Sequence, residues 1–383
     1  MSKGGKFLSP TPSGGKKGKK AALIVLCILL VLTIAAVLVG VFFFKGILDD
    51  IPKVSVDPID YAALATETFE TLPPPEETTV PVTEAATTEP TTAPTEAHVA
   101  SSEDYINFLV VGQAQRIGEA TEAERFADTM ILCTVNTHEK TLTMTSMLRD
   151  TLIRGAQYMG HTWGGIKLNT VYHMGSQWNG VKGSMEVMNM TLFLNFGIEV
   201  DHNFEIDFNG FMELINLMGG VEIELTEAEA NYLNEDDLWV RKDVEPGLCK
   251  LNGMTALSYA RMRKAEGDNE SDIVRTARQR KLIEAIIAKL KTKSLSELRE
   301  LVDAALPYVT TSMTNAEITE MVVKLLPMLS ELEIKSGGTC PANYKGDELD
   351  IYKNGMYHSI LRFNEQETKA YMRAITEGEG VAP

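Results

Sequence analysis

One uninterrupted apolar run constrains the amino-terminal part of the chain. Residues 21–44, AALIVLCILLVLTIAAVLVGVFFF, contain neither a charged residue nor a proline. A helix of this length crosses the roughly 30 Å of a bilayer's hydrocarbon core, so we predict a transmembrane helix over 21–44. A cleaved signal peptide is the alternative, although its apolar region usually has about 7–15 residues and ends at a small-residue cleavage site. This run ends instead at Phe44 and Lys45.

The segments on either side of the apolar run differ in character. Residues 1–20 carry several lysines and no acidic residue, which predicts a cytoplasmic tail by the positive-inside rule. The chain is then a single-pass cell-membrane protein whose carboxyl-terminal part is extracellular. Residues 45–102 are rich in Thr, Pro and Glu and lack the apolar periodicity of a core, so they predict a disordered linker.

Net charge limits the partners of the extracellular part. The formal net charge is −17 despite the lysine-rich tail, so the part beyond the span is strongly acidic. Contacts with phosphate dominate the affinity of proteins for nucleic acid. We therefore predict no nucleic-acid partner.

Three cysteines lie outside the apolar run. Cys249 and Cys340 occupy loop-like sequence, and in an exported domain these two could either form a disulfide or remain thiols. Cys133 lies in the strand-like run TMILCTV, where we predict a buried thiol.

Apolar runs with two different periods follow the linker. Runs at 106–112, 129–136 and 141–148 predict strands, the last two joined by a hairpin turn at THEK. GSMEVMNMTLFLNFG then predicts a helix, HNFEIDF a strand, NGFMELINLMGG a helix and VEIEL a strand. This alternation indicates the α/β class. The methionines of the helices either fill the core or line a cavity that accommodates lipid.

Arginines are concentrated between residues 259 and 281, YARMRKAEGDNESDIVRTARQRK. Asn252 precedes a predicted short helix, MTALSYA. Asp272 precedes a predicted longer helix, IVRTARQRKLIEAIIAKLKTK, which has an apolar stripe on one face. Arg275, Arg278 and Gln279 stand three and four residues apart and therefore share one helix face, whereas Arg280 points elsewhere and is predicted to be surface charge. The stripe comprises Ile273, Ala277, Ile283, Ile286, Ile287 and Leu290.

Two interpretations of the arginines remain open. A helix amino terminus and convergent guanidinium groups together form a site for phosphate or pyrophosphate. Alternatively, the arginines pair with acidic side chains of the intervening turn as a solvated charge cluster. Those acidic residues are Glu266, Asp268, Glu270 and Asp272.

From Asp104 to Leu290 the chain resembles the LytR-CpsA-Psr family of cell-envelope proteins. The resemblance lies in NFLVVG, ADTMIL, SMLRDT, KLNTVYHMG, DFNGFMELINLMGGVEIEL, LNGMTALSYARMR and RTARQRK, all in the family's order. It implies a three-layer α/β/α catalytic domain with a mixed central sheet over 103–295. It also implies transfer of a glycopolymer, teichoic acid or capsular polysaccharide, from a polyprenyl-pyrophosphate carrier to peptidoglycan. The alternatives are a catalytically weak lipid-pyrophosphate sensor or scaffold, and a lipid pyrophosphatase.

The resemblance also implies roles for individual residues. Arg149 reaches the pyrophosphate, and Asp150 either orients Arg149 or helps to deprotonate the incoming hydroxyl. Lys167 and Asn169 match a Lys-x-Asn pair beside the site, although a purely structural role remains open for both. The other matching residues are Arg261 and Arg263 of Tyr-x-Arg-x-Arg, Arg275, Arg278 and Gln279 of Arg-x-x-Arg-Gln, Arg116 of the first loop, and the metal-binding Asp128.

The chain departs from the family's pattern at the expected Mg²⁺ site. The family has Gly-x-Asp-x-Arg in the first loop, where this chain has Ala114 in place of the aspartate. Mg²⁺ needs only one or two protein carboxylates when phosphates supply other ligands, so Asp128 with a bound pyrophosphate could suffice. Gln113 or an acidic side chain of the adjacent loop could assist, or the site could be weakened. The acidic candidates are Glu119, Glu122 and Glu124.

The remaining residues, 296–383, predict a helical and strand extension that packs on the domain. SLSELRELVDAALPYV and NAEITEMVVKLLPML have helical patterns, and a strand, a loop containing Cys340 and a final helix follow. No acid–base pair or nucleophile motif is evident there.

Overall fold

The computed structural model describes residues 52–66, 104–113, 125–155, 157–235, 243–263, 272–342, 344–353 and 356–377. The predicted tail and transmembrane helix, and most of the predicted linker, lie outside these residues. Within the described ranges, no helix combines the length and apolar content needed to cross a bilayer.

Strands predominate up to residue 167, and helices and strands are interspersed in the rest of the described chain. The first elements are α1 (Tyr61–Thr66), β1 (Tyr105–Gln113), β2 (Ala127–Asn136), β3 (Thr141–Met147), β4 (Leu152–Ile153), β5 (Gln157–Tyr158), β6 (His161–Thr162), β7 (Ile166–Lys167), α2 (Leu168–Phe196), β8 (His202–Ile206), α3 (Phe208–Leu217) and β9 (Val221–Leu225). They are followed by α4 (Glu227–Glu235), β10 (Gly247–Leu251), α5 (Gly253–Arg261), α6 (Asp272–Lys291), α7 (Leu295–Ala305), β11 (Val309–Thr311), α8 (Asn315–Leu325), β12 (Glu333–Cys340), β13 (Tyr344–Lys353), β14 (Met356–Phe363) and α9 (Glu365–Glu377).

A six-stranded mixed sheet has the order β11-β8-β1-β2-β3-β12. The three predicted strands at its centre are confirmed as an antiparallel meander, and the predicted hairpin turn joins β2 to β3. β8 runs parallel to β1, β12 runs parallel to β3, and β11 runs antiparallel to β8. Both edge strands come from residues beyond 295, so the predicted extension is built into the sheet itself. The mixed α/β class is thereby confirmed.

α2 covers one face of the sheet. Met185, Met188, Leu192 and Phe196 of this helix are fully buried against the strands, which confirms core filling for these methionines. Gly197 ends the helix in the left-handed conformation, as the sequence predicts.

α2 is interrupted in its middle. Asn179 and Gly180 have non-helical backbone angles, and the two halves of the helix fold against each other there. A Cβ atom on Gly175 would lie 2.3 Å from the carbonyl oxygen of Gly183, so only glycine permits this approach. The Ser184 hydroxyl donates to the carbonyl of Tyr172 at 2.8 Å across the same junction.

The opposite face of the sheet packs against α6 and α8. Phe108, Ile131 and Met144 contact Ile283 and Ile287 of α6 there. Helices therefore lie on both faces of the sheet. A second core, formed by α3, α4, α5 and the β9–β10 ladder, packs on the other side of α6.

The predicted apolar stripe of α6 is wrong in its first half. Ala277 is exposed, whereas Arg275, Thr276, Arg278 and Gln279 are buried. The first turns of the helix lie beside polar groups of the sheet edge and of α4. The buried positions of these turns are therefore occupied by polar side chains. Its second half follows the prediction more closely, with Ile283, Ile286, Ile287 and Leu290 partly buried.

The possible disulfide is not formed. Cys133, Cys249 and Cys340 are free thiols. Cys249 lies in β10 of the small ladder and Cys340 in β12 of the large sheet, so neither occupies the loop that the sequence suggests. Burial raises the pKa of the Cys133 thiol to about 12, in accordance with its predicted interior position.

Part of the predicted disordered linker is ordered. Lys53 forms a parallel bridge with Thr311 of β11, and Leu64 of α1 is buried. The rings of Tyr61 and Phe193 are 4.7 Å apart, which fixes α1 against α2. These apolar contacts stabilise a short segment that is otherwise flanked by polar, proline-containing sequence.

Candidate active site

The carboxyl ends of β1 and β3 and the amino end of β2 meet at one edge of the sheet, which we call the site end. Gly112 pairs with Thr129 and Gln113 with Ala127, so Asp128 is the extra residue of a β-bulge. Bulges change the direction in which a side chain points. Continuing the register of β2 and β3 places Asp128 opposite Arg149.

A chain of alternating charges crosses the site end. The Arg149 guanidinium donates from Nη1 to Oδ1 of Asp128 at 2.7 Å, and its Nε lies 3.6 Å from Oδ2 of Asp150. Lys167 Nζ donates to Oδ1 of Asp150 at 2.8 Å. Asp150 is therefore held between two cations, and Arg149 between two carboxylates. All four side chains are only partly exposed, which strengthens these interactions relative to surface pairs.

Backbone hydrogen bonds fix the spacing of this network. The amide of Leu168 donates to the Thr151 carbonyl at 2.9 Å, and that of Asn169 donates to the Arg149 carbonyl at 3.1 Å. The start of α2 is thereby fastened to the loop that follows β3. Lys167 belongs to the charge network, whereas the Asn169 side chain has only a weak 3.4 Å contact with the Thr170 hydroxyl among the described residues.

α6 brings a second arginine to Asp128. Arg275 is 4% exposed, and its Nη2 donates to the backbone carbonyl of Asp128 at 3.3 Å. Arg149, from the loop that follows β3, and Arg275, from α6, therefore reach the same residue. The sequence predicts this convergence only through the family resemblance, because the two arginines are far apart in the chain.

Arg278 pairs with a carboxylate that the sequence analysis missed. Its Nε donates to Oε1 of Glu229 at 2.8 Å, and its Nη1 donates to the Met262 carbonyl at 3.3 Å. Burial raises the pKa of Glu229, but the hydrogen bonds from Arg278 and from the Thr226 amide outweigh burial and lower it. The reciprocal Thr226–Glu229 bonds form a capping box at the start of α4. The sequence TEAE, residues 226–229, indicates the start of this helix, but it does not show that Glu229 pairs with Arg278.

The predicted substrate-binding Gln279 and the predicted catalytic residues Arg261 and Arg263 occupy different environments. Gln279 is buried and donates to the Ala260 carbonyl at 3.3 Å. Arg261 and Arg263 are exposed, and the Arg261 guanidinium carbon lies 5.2 Å from the centre of the Phe208 ring. A cation over an aromatic face at an exposed site is stabilised by about 0.5–1 kcal/mol.

The prediction that Arg280 is a surface charge is wrong. Its Nη1 donates to the Ser146 hydroxyl at 2.6 Å and to the Gly338 carbonyl at 2.9 Å. Burial lowers the pKa of its guanidinium. The side chain joins α6 to β3 and to the irregular part of β12, where a carbonyl needs a donor.

Glu205 forms a further buried network that the sequence analysis did not single out. It lies on β8 beside Val111, accepts a hydrogen bond from the Tyr172 hydroxyl, and pairs with Arg125 at 2.8 Å. Burial raises the pKa of Glu205, and it raises that of Tyr172 as well. This network joins β8, α2 and the segment preceding β2 close to the site end.

Arg116, Ala114 and the acidic residues of the first loop lie outside the described residues, as do Glu266, Asp268 and Glu270. Among the residues described, no group of three His, Cys, Asp or Glu side chains could hold a metal ion. Asp128 offers a partly exposed carboxylate, and the adjacent Gln113 is buried with an Nε2 that has no hydrogen-bond partner in the described ranges.

The fold and the site end together define a mixed α/β domain in which arginines and carboxylates are concentrated at the end of the central strands. Residues 77–365 match the LytR_cpsA_psr family. The chain belongs to this family.

Relatives and solved structures agree with this assignment. The chain is 32% identical over 66% of its length to Biofilm regulatory protein A of Streptococcus mutans. It is 31% identical over 60% of its length to the polyisoprenyl-teichoic acid–peptidoglycan teichoic acid transferase TagV of Bacillus subtilis. These matches span 60% and 53% of the two relatives. A crystal structure of protein gbs0355 from Streptococcus agalactiae covers 73% of this chain and 90% of its own, with a TM-score of 0.57 at 25% identity.

Proposed function

We propose that the chain is a membrane-anchored phosphotransferase that moves a glycopolymer of the teichoic acid or capsular polysaccharide type from a polyprenyl-pyrophosphate carrier to peptidoglycan. The convergence of Arg149 and Arg275 on Asp128 carries this proposal, because two guanidinium groups at one point suit a diphosphate. Family membership and the name of the Bacillus subtilis relative, a teichoic acid transferase, support it.

The proposed reaction is a displacement at phosphorus. A hydroxyl oxygen of peptidoglycan forms a bond to the phosphorus that carries the glycan, and the bond from that phosphorus to the bridging oxygen breaks. Polyprenyl phosphate leaves with the electron pair. Enzymes promote such transfers mainly by positioning and by neutralising charge, which are the roles we assign to Arg149 and Arg275.

Asp150 is the candidate acceptor of the hydroxyl proton. Its carboxylate lies between Lys167 and Arg149, and these two contacts fix its orientation. A positioned carboxylate that accepts a proton contributes about 10²–10⁴-fold to a transfer rate. If Asp150 only orients Arg149, its amide variant should retain most of the activity.

Mg²⁺ is the proposed cofactor, and the residues present are compatible with it. Asp128 supplies one partly exposed carboxylate beside Arg149, and Mg²⁺ accepts one protein carboxylate when phosphate oxygens and waters complete its shell. When bound, the ion would neutralise charge on the phosphates. Ala114 replaces the carboxylate expected in the family's first loop, so Ala114→Asp should raise the affinity for Mg²⁺.

The test uses the full chain reconstituted in vesicles with a polyprenyl-pyrophosphate oligosaccharide, peptidoglycan fragments and Mg²⁺. We expect glycan linked to peptidoglycan through a phosphodiester, detected by mass spectrometry. Bound lipid without this product would favour the sensor or scaffold, for which Ala114 is the specific observation. Free glycan phosphate without linkage would favour a pyrophosphatase, and failure to bind the lipid would contradict all three functions.

A further inference from the structure

The end of α5 presents two exposed arginines, and a described contact places the first of them at the site end. Gly112 of β1 pairs with Ile206 at the carboxyl end of β8, and Phe208 follows two residues later at the start of α3. The Arg261 guanidinium carbon lies 5.2 Å from the centre of the Phe208 ring. Arg263, two residues further along the chain, is exposed as well.

A buried side chain separates these two arginines. Met262 has no exposed surface and packs in the second core, whereas Arg261 and Arg263 on either side of it are exposed. The backbone of Met262 leaves the helical conformation, with a φ of −57° and a ψ of 119°, so α5 ends there. The last carbonyls of a helix have no partner within the helix and need donors from elsewhere. The direction of the two arginines therefore depends on what binds these carbonyls.

Two consecutive side chains of α6 supply the donors. Arg278 Nη1 donates to the Met262 carbonyl at 3.3 Å. Gln279 Nε2 donates to the Ala260 carbonyl, also at 3.3 Å. Both side chains are buried. The end of α5 is thereby fixed to the first turns of α6, the helix that also carries Arg275 to the site end.

Glu229 of α4 fixes Arg278 in turn. Arg278 Nε donates to Oε1 of Glu229 at 2.8 Å, while Oε2 of Glu229 accepts from the Thr226 amide at 3.0 Å. Both carboxylate oxygens are therefore engaged, and Glu229 is only 7% exposed. A diphosphate that contacted Arg278 would have to approach this carboxylate, whose like charge repels it. Separating the pair would also leave a buried charge without its partner, which is costly.

We propose that Glu229 and Arg278 are positioning residues of the diphosphate site, which act through the Met262 backbone to place Arg261 and Arg263. The carboxylate orients the Arg278 guanidinium, and the guanidinium binds the Met262 carbonyl. The exposed arginines on either side of Met262 then contact the phosphate oxygens, while Arg278 does not. This inference rests on the proposed function, because it assumes a carrier that contains a diphosphate.

The test measures binding of geranyl pyrophosphate to the full chain by calorimetry. The double variant Arg278→Met, Glu229→Met removes both charges, so that no buried charge is left without a partner. It is made in the parent chain and in an Arg261→Ala, Arg263→Ala chain. Arg280→Met is the matched control, because it removes an arginine of the same helix that bonds to β3 and β12 instead of α5. Unfolding in urea gives the stability of each variant.

We expect the methionine double variant to weaken binding about tenfold in the parent chain, which corresponds to about 1.4 kcal/mol, while most of the stability is kept. In the Arg261→Ala, Arg263→Ala chain the same change should weaken binding less than about twofold, because the groups that it positions are gone. A comparable loss in both chains would show that Arg278 contacts the diphosphate itself and would overturn the inference. Unchanged binding in the parent chain, or an equal loss in Arg280→Met, would overturn it as well.

Glu229→Gln is a milder second variant that keeps the inference testable if the methionine variant does not fold. An amide has one acceptor oxygen, so it cannot accept from both the Arg278 guanidinium and the Thr226 amide as the carboxylate does. We expect it to weaken binding about threefold in the parent chain and to have no effect in the Arg261→Ala, Arg263→Ala chain. An equal loss in both chains would contradict positioning through the Met262 backbone.

Failure of the proposed function would give a different result. Arg149 and Arg275 remain in the Arg261→Ala, Arg263→Ala chain, so that chain should still bind geranyl pyrophosphate. A parent chain that does not bind it, or complete loss of binding in the alanine chain, would overturn the proposed function and the inference with it.

Discussion

The arginines of the chain fall into two groups with different physical situations. Arg275 and Arg278 are buried and Arg149 is partly buried, and all three, which we call the interior group, already bond to carboxylate or carbonyl oxygens of the protein. Arg261 and Arg263 are exposed beside the same site. The interior group couples ligand binding to the fold, because each of its members holds two parts of the structure together. The exposed group can affect a ligand without affecting the fold.

The largest expected effect is on stability, at Arg278. Arg278→Ala leaves Glu229 buried without its guanidinium partner, and removing one partner of a buried pair costs about 3–5 kcal/mol. We expect the free energy of unfolding in urea to fall by this amount. The double variant Arg278→Met, Glu229→Met is the control and should recover most of the loss. Wild-type stability of Arg278→Ala would show that the pair contributes little.

The next largest effect is on transfer, at Arg149. Arg149→Ala removes a charged donor that we assign to the diphosphate, and losing one such donor typically lowers a rate by about 10²–10³-fold. Arg149→Lys should recover little of the rate, because an ammonium group lacks the planar fork. Thermal unfolding should change only modestly, since the pair with Asp128 is partly exposed. Full activity of the lysine variant would reduce the role of Arg149 to simple charge.

A smaller effect is expected at Arg261. Arg261→Ala should weaken binding of the lipid carrier by about tenfold, which corresponds to about 1.4 kcal/mol, without a change in stability. Phe208→Leu removes the ring under the guanidinium and keeps the charge, so it should weaken binding less. If Arg261→Ala lowers the free energy of unfolding instead, the distinction between the interior and exposed groups fails.

The smallest effect concerns pH. The folded-state pKa of Glu229 is lowered, so its contribution to stability is present above its ordinary pKa and is lost as pH falls through the lowered value. Glu229→Gln should therefore flatten the decline in unfolding free energy between about pH 4.5 and the acid end of the titration. Asp60→Asn, in an exposed segment, is the control, and an equal flattening there would assign the effect to net charge.

The sequence predicts those helices and strands whose positions are determined by nearby residues. The strands around Leu109, Leu132 and Met144 follow from their apolar runs, and Asn252 does cap α5 as the pattern indicates. The end of α2 at Gly197 is equally local, because only a left-handed residue satisfies the last carbonyls there.

Contacts between distant segments account for the rest. The pairing of Arg278 with Glu229, the bonds of Arg280 to β3 and β12, and the docking of Lys53 on β11 all join residues far apart in the sequence. The sequence does not show which distant residue will pair with a given charged residue when both are buried. For the same reason, the sequence does not show that Cys340 lies in a strand, because β12 is fixed by its pairing with β3.

The most direct test of the account is a double-mutant cycle on Arg149 and Arg275. Binding of geranyl pyrophosphate to the full chain is measured by calorimetry for the parent, both alanine variants and the double variant. If the two arginines act on one diphosphate at Asp128, their effects should be non-additive, with a coupling energy of about 0.5–3 kcal/mol. Strictly additive losses, or unchanged binding in either single variant, would contradict a shared site.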